Sequence, residues 1–249
     1  MTPSLRQRLS AAAHASLPHA NPLSSQQFSA LVNAVARTAP NSAVDIGCGY
    51  GPFALALAAV SRTAILAYDV NHEKLERARL IESGQRLVGS IEWVEAPFKA
   101  NEEANFDAVV CIGSSHAIGS PLEAVSRCAS LAGRNGIVVL AELVWREDPD
   151  PRFLEYLGIG AHYHWTTAAA RDVLQAEGLA IEQRFGASPD DFQAYEDAVR
   201  LGRYAFSETL SQADKTLVLQ QADQWSLMYA TYGKHCLGFE AYVARSVAA

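Results

Sequence analysis

Val44-Asp45-Ile46-Gly47-Cys48-Gly49-Tyr50-Gly51-Pro52 is the stretch on which the fold turns. Ala43 to Ile46 is a short apolar strand, and three glycines at alternate positions follow it. Pro52 to Val60 reads as a buried helix, with proline suited to its first turn. Strand, glycine turn and helix in that order form a nucleotide-binding first turn. Glycine permits positive φ and lets a ligand approach the backbone with no Cβ in the way. The dinucleotide fingerprint wants glycines at its first, third and sixth positions, and the sixth here is Pro52. Without a third glycine packing the helix beneath a pyrophosphate, the pattern points away from a nicotinamide dinucleotide and toward a nucleoside lacking phosphates.

Working outward, Ala64 to Tyr68 is a second apolar strand ending at Asp69, whose carboxylate can accept hydrogen bonds from both ribose hydroxyls. The other reading of Asp69 is a cap on the following helix through Asn71-His72. Helix His72–Leu80, strands Ile91–Val94 and Phe106–Ile112, helix Pro121–Ala132 and strand Gly136–Ala141 continue the alternation. Continuous Val/Ile/Leu strands between helices indicate a parallel sheet covered on both faces. Upstream, Ser24 and Gln27 have capping-box spacing before an amphipathic helix carrying Phe28, Leu31, Val32 and Val35. Downstream the pattern predicts a helix over 168–177, a sixth strand at Leu179–Phe185, helical periodicity from Asp190 to Tyr232, and a closing strand at Leu237–Ala244.

The stretch Val44 to Gly51 closely resembles the first motif of class I S-adenosylmethionine-dependent methyltransferases, of the small-molecule type. Asp69 matches their ribose-binding acid, and Phe106-Asp107-Ala108-Val109-Val110-Cys111-Ile112 resembles their fourth-strand motif. The resemblance implies an α/β fold: a Rossmann-like, seven-stranded, mostly parallel sheet with helices on both faces and an antiparallel last strand. To this the sequence adds an N-terminal helix and a helical insertion before the last strand. The expected organisation is one domain over 1–249, with an N-terminal helical segment at 1–40 and a cofactor-binding core at 43–145. An acceptor-side lid region at 146–236 and the closing strand at 237–245 complete it.

Carried over residue by residue, the resemblance implies S-adenosylmethionine as cofactor and S-adenosylhomocysteine as product. Asp45 and Gly47 hold the methionine end, Gly49 lies beneath the cofactor, and Asp69 takes the ribose. Cys48, Val70, Cys111 and Ile112 join the cofactor-binding set. Ala96, Pro97 and Phe98, with Glu95, stand where the family flanks the adenine, although the family often has an Asp at the place of Pro97.

Methyl transfer from a sulfonium is an in-line displacement, so the protein positions and desolvates, and removes a proton when the acceptor is neutral. The acceptor belongs beyond the carboxyl ends of strands four and five. His116, after strand four, is the first choice of general base because imidazole titrates near neutrality; its alternative is a helix cap. Glu142, after strand five, can orient an amine or a hydroxyl. Trp145, His162, His164 and Tyr195 are substrate-side candidates, each equally readable as packing. His162 and His164 point to opposite faces if extended, so no metal is expected there.

The chain has 249 residues, 49% of them hydrophobic, which suits one large α/β core. A net charge of -7, with no Lys/Arg cluster, argues against a nucleic-acid partner. No apolar run reaches bilayer length, so no membrane span is expected. Four dispersed cysteines (48, 111, 128 and 236) fit a reduced, cytoplasmic protein. Residues 1–44 lack Asp and Glu, which is similar to a transit peptide over the first ~20 residues; the preferred reading is a mature helix. The expected partner is a small-molecule methyl acceptor, with a homodimer left open. The alternatives are an RNA or protein methyltransferase, a non-catalytic cofactor-binding scaffold, and a nicotinamide oxidoreductase.

Overall fold

The computed structural model describes residues 1–99 and 105–247. Two helices, α1 (Pro3–Ala13) and α2 (Ser25–Ala36), precede the sheet. Then come β1 (Ser42–Ile46), α3 (Pro52–Val60), β2 (Ala64–Asp69), α4 (His72–Ser83), β3 (Ser90–Glu95) and β4 (Phe106–Ile112). A short 3₁₀ turn at Ser115–Ala117 leads to α5 (Pro121–Leu131), β5 (Ala132–Trp145), α6 (Pro151–Leu157), α7 (Ala170–Ala176) and β6 (Leu179–Gly186). The chain closes with α8 (Pro189–Ser207), α9 (Gln212–Met228), a π-helical turn at Tyr229–Gly233, α10 (Lys234–Cys236) and β7 (Leu237–Ser246).

Among the described residues the sheet has seven strands in the order β3-β2-β1-β4-β5-β7-β6. β7 runs antiparallel between β5 and β6, and the other pairings are parallel. This is the mixed sheet expected from the sequence. The strand order reverses between β1 and β4, and an α/β sheet opens its ligand crevice beyond the carboxyl ends of the strands at such a point.

Side-chain alternation explains why the central strands read as unbroken apolar runs. Ala43 of β1, Ala108 and Val110 of β4, and Val139 of β5 face a cluster with α2 and α3. Their neighbours Val44, Val109, Cys111 and Val138 face a second cluster with α5 and α7. Both faces are covered, so both parities must be apolar. Asp45 shares the parity of Ala43 and is 4% exposed, a charged residue in a core strand. The capping box at Ser24 and Gln27 forms as expected, with Gln27 N–H donating to Ser24 Oγ at 3.2 Å and Ser24 N–H to Gln27 Oε1 at 3.0 Å.

Three expectations shift. β5 is longer than Gly136–Ala141: it begins at Ala132, which pairs with Phe106 of β4, and runs to Trp145 because Leu237–Ser246 offers it a matching edge over nine paired residues from Ile137 to Trp145. The helical stretch from 190 to 232 is two helices, α8 and α9, broken at 208–211 where Ser211 caps the second, and α6 is an additional helix. The helix expected over 168–177 is trimmed to Ala170–Ala176.

The N-terminal helix packs across the top of the sheet. A Cβ on Gly202 of α8 would lie 2.7 Å from the Ala13 carbonyl oxygen, so α1 and α8 touch backbone to backbone there. Arg8 sits over the ring of Phe206, and the Tyr50 hydroxyl donates to the Leu17 carbonyl at 2.8 Å. No helix among the described residues is long and apolar enough to cross a membrane.

Candidate functional site

A cavity of about 420 Å³ lies beyond β1, β2 and β4. Its floor is the glycine turn, and two of the glycines there do different work. Gly47 has φ +69, and a Cβ on it would meet Ser114 Cβ at 2.4 Å, so the strand ends of β1 and β4 touch through a missing side chain. Ser114 fastens that contact by donating its hydroxyl to the Ile46 carbonyl. Gly49, at φ +61, faces open space, where a Cβ would have only Lys74 Cδ at 3.9 Å.

Two carboxylates stand on this floor. Asp69 accepts from the Gly49 amide and from the Asn71 amide, each at 2.8 Å, so it holds the turn in shape. Helix α4 is capped by Asn71 rather than Asp69, the Asn71 side chain accepting from the Lys74 amide at 3.2 Å. Each Asp69 oxygen retains a second lone pair for a ligand hydroxyl. Asp45 is different. Its Oδ2 is buried and has no hydrogen-bond partner among the described residues. Burial, and then the charge of Asp69, push its carboxyl up to about 7, with the Ala54 amide pulling the other way. A buried acceptor of this kind, beside a backbone cradle, fits a ligand bearing an ammonium, such as the methionine end of an adenosyl cofactor.

The walls bring in residues from distant parts of the chain. Arg6, Gln7, Ser10 and His14 descend from α1, and Asn21 from the loop after it. His116 stands on the far side, where burial and then Lys74 hold its imidazole below the ordinary range. Tyr195 of α8 donates its hydroxyl to His14 Nε2 at 3.0 Å. The Ser10 carbonyl can only accept, so the proton of a neutral His14 sits on Nδ1, 2.8 Å from that carbonyl, and Nε2 is free to accept. Burial lowers the His14 pKa to about 4 and keeps the ring neutral.

A second cavity, of about 290 Å³, adjoins the first, and the two share His14, Ala20, Asn21, Gly113 and Tyr195 in their walls. Glu142, Phe192, Glu196, Arg203, Trp225 and Phe239 extend the second one toward α8 and α9. Burial raises the Glu142 carboxyl, while Ser115 and the Leu143 amide hold it back; its Oε2 is buried without a partner among the described residues.

Asp45, Gly47, Cys48, Gly49, Asp69, Val70, Ile112 and His116 therefore come together around the first cavity, and Glu142 and Tyr195 around the second. Other candidates lie elsewhere. Cys111 is fully buried beneath the floor, 3.4 Å from Ser114 Oγ. Phe98 packs edge-on against Tyr68 in the core, and neither it, Ala96 nor Pro97 lines the first cavity. Trp145 turns into the core because β5 runs on past Glu142, and its indole donates to the Ala161 carbonyl at 2.7 Å. His164 is buried edge-on against Trp145, with its pKa lowered to about 4 by burial, and His162 is exposed. None of these three lines either cavity. No group of His, Cys, Asp and Glu among the described residues is arranged to hold a metal.

The reversal between β1 and β4, the glycine cradle and the acid after β2 together define a class I, S-adenosylmethionine-dependent methyltransferase. A family model described as a methyltransferase domain matches residues 23–237, and the chain belongs to that family. YjhP from E. coli superposes with a TM-score of 0.85 at 16% identity, covering 96% of this chain and 99% of that one. A methyltransferase from Thiobacillus denitrificans, solved with S-adenosylhomocysteine, gives 0.83 at 17% identity, covering 94% and 96%. A ubiquinone biosynthesis O-methyltransferase from Xanthomonas campestris is 30% identical over 122 residues, 48% of each chain. The chain thus aligns with about half the length of the curated relatives it matches.

Asp69→Ala is expected to weaken S-adenosylhomocysteine binding by about 1–3 kcal/mol in calorimetry, the size of a lost charge-assisted hydrogen bond. An unchanged affinity leaves Asp69 only the task of holding the Gly49 turn.

Proposed function

We propose that the protein transfers the S-methyl group of S-adenosylmethionine to a small molecule held in the second cavity. The observation that carries this reading is the shared wall. A cradle fit for the donor abuts a compartment of about 290 Å³, so a reacting atom in the second can face a methyl group in the first. That volume suits a small organic acceptor and excludes a folded protein or RNA except through a single extruded side chain or base. The net charge of -7 also disfavours RNA.

The bound cofactor supplies an electrophilic methyl on a good leaving group. Everything else falls to this chain. Asp45 pairs with the ammonium, Asp69 accepts from the ribose hydroxyls, and Gly49 keeps the floor free of a Cβ. Tyr195 and His14 form the partition between the two compartments. His116 is neutral near pH 7 and stands ready to accept a proton from a neutral acceptor. Four free, buried cysteines support a cytoplasmic setting.

His116→Ala is expected to slow transfer by roughly 10²-fold or more while leaving cofactor affinity within about twofold. Wild-type turnover in that variant removes His116 from the proton path. The test of the whole reading is a co-crystal structure with S-adenosylhomocysteine, expected to place its sulfur at the shared wall, together with calorimetry in which NAD does not bind. NAD binding without S-adenosylhomocysteine binding overturns it. Cofactor binding without turnover on any acceptor favours a scaffold instead.

A further inference from the structure

Given that reading, the second cavity carries more information than its size. We infer that its methyl acceptor is a small amine with an apolar or aromatic body, held through nitrogen by Glu142 and Glu196. Glu142 enters from β5, 6% exposed. Its Oε1 accepts from the Leu143 amide at 2.8 Å, and Oε2 has no partner among the described residues. Glu196 enters from α8 and accepts from the Trp225 indole N–H at 2.6 Å, which fixes both side chains against each other. The remaining wall is largely apolar and carries the rings of Phe192, Tyr195, Trp225 and Phe239, with Phe192 and Phe239 only 5% and 4% exposed.

Charge decides between acceptor classes. Among the described residues Arg203 is the one basic side chain lining this cavity whose charge is permanent, and the His14 that also lines it is neutral. With both glutamates ionised, one carboxylate is left in excess of the guanidinium. Burial pushes both glutamates up, so keeping them ionised is costly, and a cation held in the same cavity offsets that cost. An ammonium gains hydrogen bonds to carboxylate and contact with ring faces. A phenolate or carboxylate entering the same space meets two like charges.

The reaction balances in the same terms. The entering ammonium gives one proton to the neutral His116 imidazole, which lines the first cavity, and becomes a free amine, leaving both glutamates ionised. The nitrogen lone pair then forms the new N–C bond as the C–S bond breaks, its electron pair remaining on sulfur. Positive charge moves from sulfur to nitrogen, toward the carboxylates, where it is stabilised as it develops. Methylation of a hydroxyl, its proton removed by a base, ends with no positive charge on the acceptor and so gains less from two carboxylates than methylation of an amine does.

Calorimetry on the protein loaded with S-adenosylhomocysteine tests this, with benzylamine, benzyl alcohol, benzoate and catechol as probes. Benzylamine is expected to bind at least about tenfold more tightly than the others, and Glu142→Gln and Glu196→Gln are each expected to remove about tenfold of that affinity. S-adenosylhomocysteine affinity, unchanged in both variants, reports that the fold is intact. Turnover of benzylamine to its N-methyl product is the second readout. Absent benzylamine binding, equal or tighter binding of catechol or benzoate, or an unaltered preference in both variants overturns the amine assignment. In those cases retained S-adenosylhomocysteine binding leaves the methyltransferase reading standing, whereas its loss in the wild type removes both.

Discussion

Asp45→Asn is expected to stabilise the ligand-free protein at pH 8 and to cripple cofactor binding at the same time. The Asp45 carboxyl is raised from 3.8 to about 7 in the folded chain, with burial the larger cause and Asp69 the second. The sign follows from linkage. A group whose folded pKa is raised contributes fully below its unfolded value, and its contribution is lost as pH climbs through the folded value. Wild-type protein therefore carries a penalty that grows from near pH 4 to about pH 7 and is then constant. Three units at about 1.4 kcal/mol each put the ceiling near 4 kcal/mol. Asn removes the charge with little change of shape, so urea unfolding of the variant should show no gain near pH 4 and a gain of about 2–4 kcal/mol at pH 8. Cofactor affinity should fall by about 2–3 kcal/mol, because a charge-assisted contact with the ammonium is lost. In the wild type that affinity should decline below pH 7 as Asp45 takes up its proton. A variant no more stable at pH 8 than the wild type contradicts the buried charge, and an unaltered affinity contradicts the ammonium contact.

Two alanine substitutions two residues apart should separate folding from binding. Gly51 sits at φ +75 as the N-cap of α3, and a Cβ there would lie 2.2 Å from Trp93 Cη2. Trp93 cannot swing clear easily, because it is half-buried on β3 and its indole donates to Glu82 at 2.7 Å. Left-handed strain of about 1–2 kcal/mol plus a clash with a tethered ring should make Gly51→Ala cost about 3 kcal/mol or more in denaturant unfolding. Gly49→Ala carries the same strain but no clash, so it should cost only about 1–2 kcal/mol of stability. Its methyl group, however, rises from the cavity floor and should reduce S-adenosylhomocysteine affinity by at least about tenfold. Equal stability losses in the two variants would mean that Trp93 yields; equal affinities for the wild type and Gly49→Ala would mean that the cofactor does not rest on this turn.

That contrast also marks how far the sequence could be read. Alternate glycines after an apolar strand announce a close approach, but which of them meets ligand and which meets protein depends on Ser114 and Trp93, which lie far along the chain. The sheet was readable because each central strand is apolar at both parities, which only a doubly covered sheet requires. Asp45 is named by the family resemblance alone, and its burial as a charge inside such a strand comes from the structure. The partition between cavities did not stand out, since His14 and Tyr195 are 181 residues apart and nothing local to either signals a partner. The inward turn of Trp145, one of the two readings its position allows, is hidden from the sequence for a different reason. Its orientation is set by how far β5 stays paired with β7, and pairing length is a property of two strands rather than one. Glu196 went unnoticed beside Tyr195, although the spacing of a helix puts Phe192, Tyr195, Glu196 and Val199 on one face.

The backbone contact between Gly202 and Ala13 has a kinetic consequence. With no side chain to act as a cushion, α1 and α8 are locked together, and the hydrogen bond between His14 and Tyr195 ties them again two turns along α8. Residues of α1 line the first cavity and residues of α8 line the second, so on the proposed function a movement that admits one ligand is expected to loosen the grip on the other. Initial-rate measurements should therefore show product release depending on both ligands, with the thioether product slow to leave while an acceptor holds the helices together.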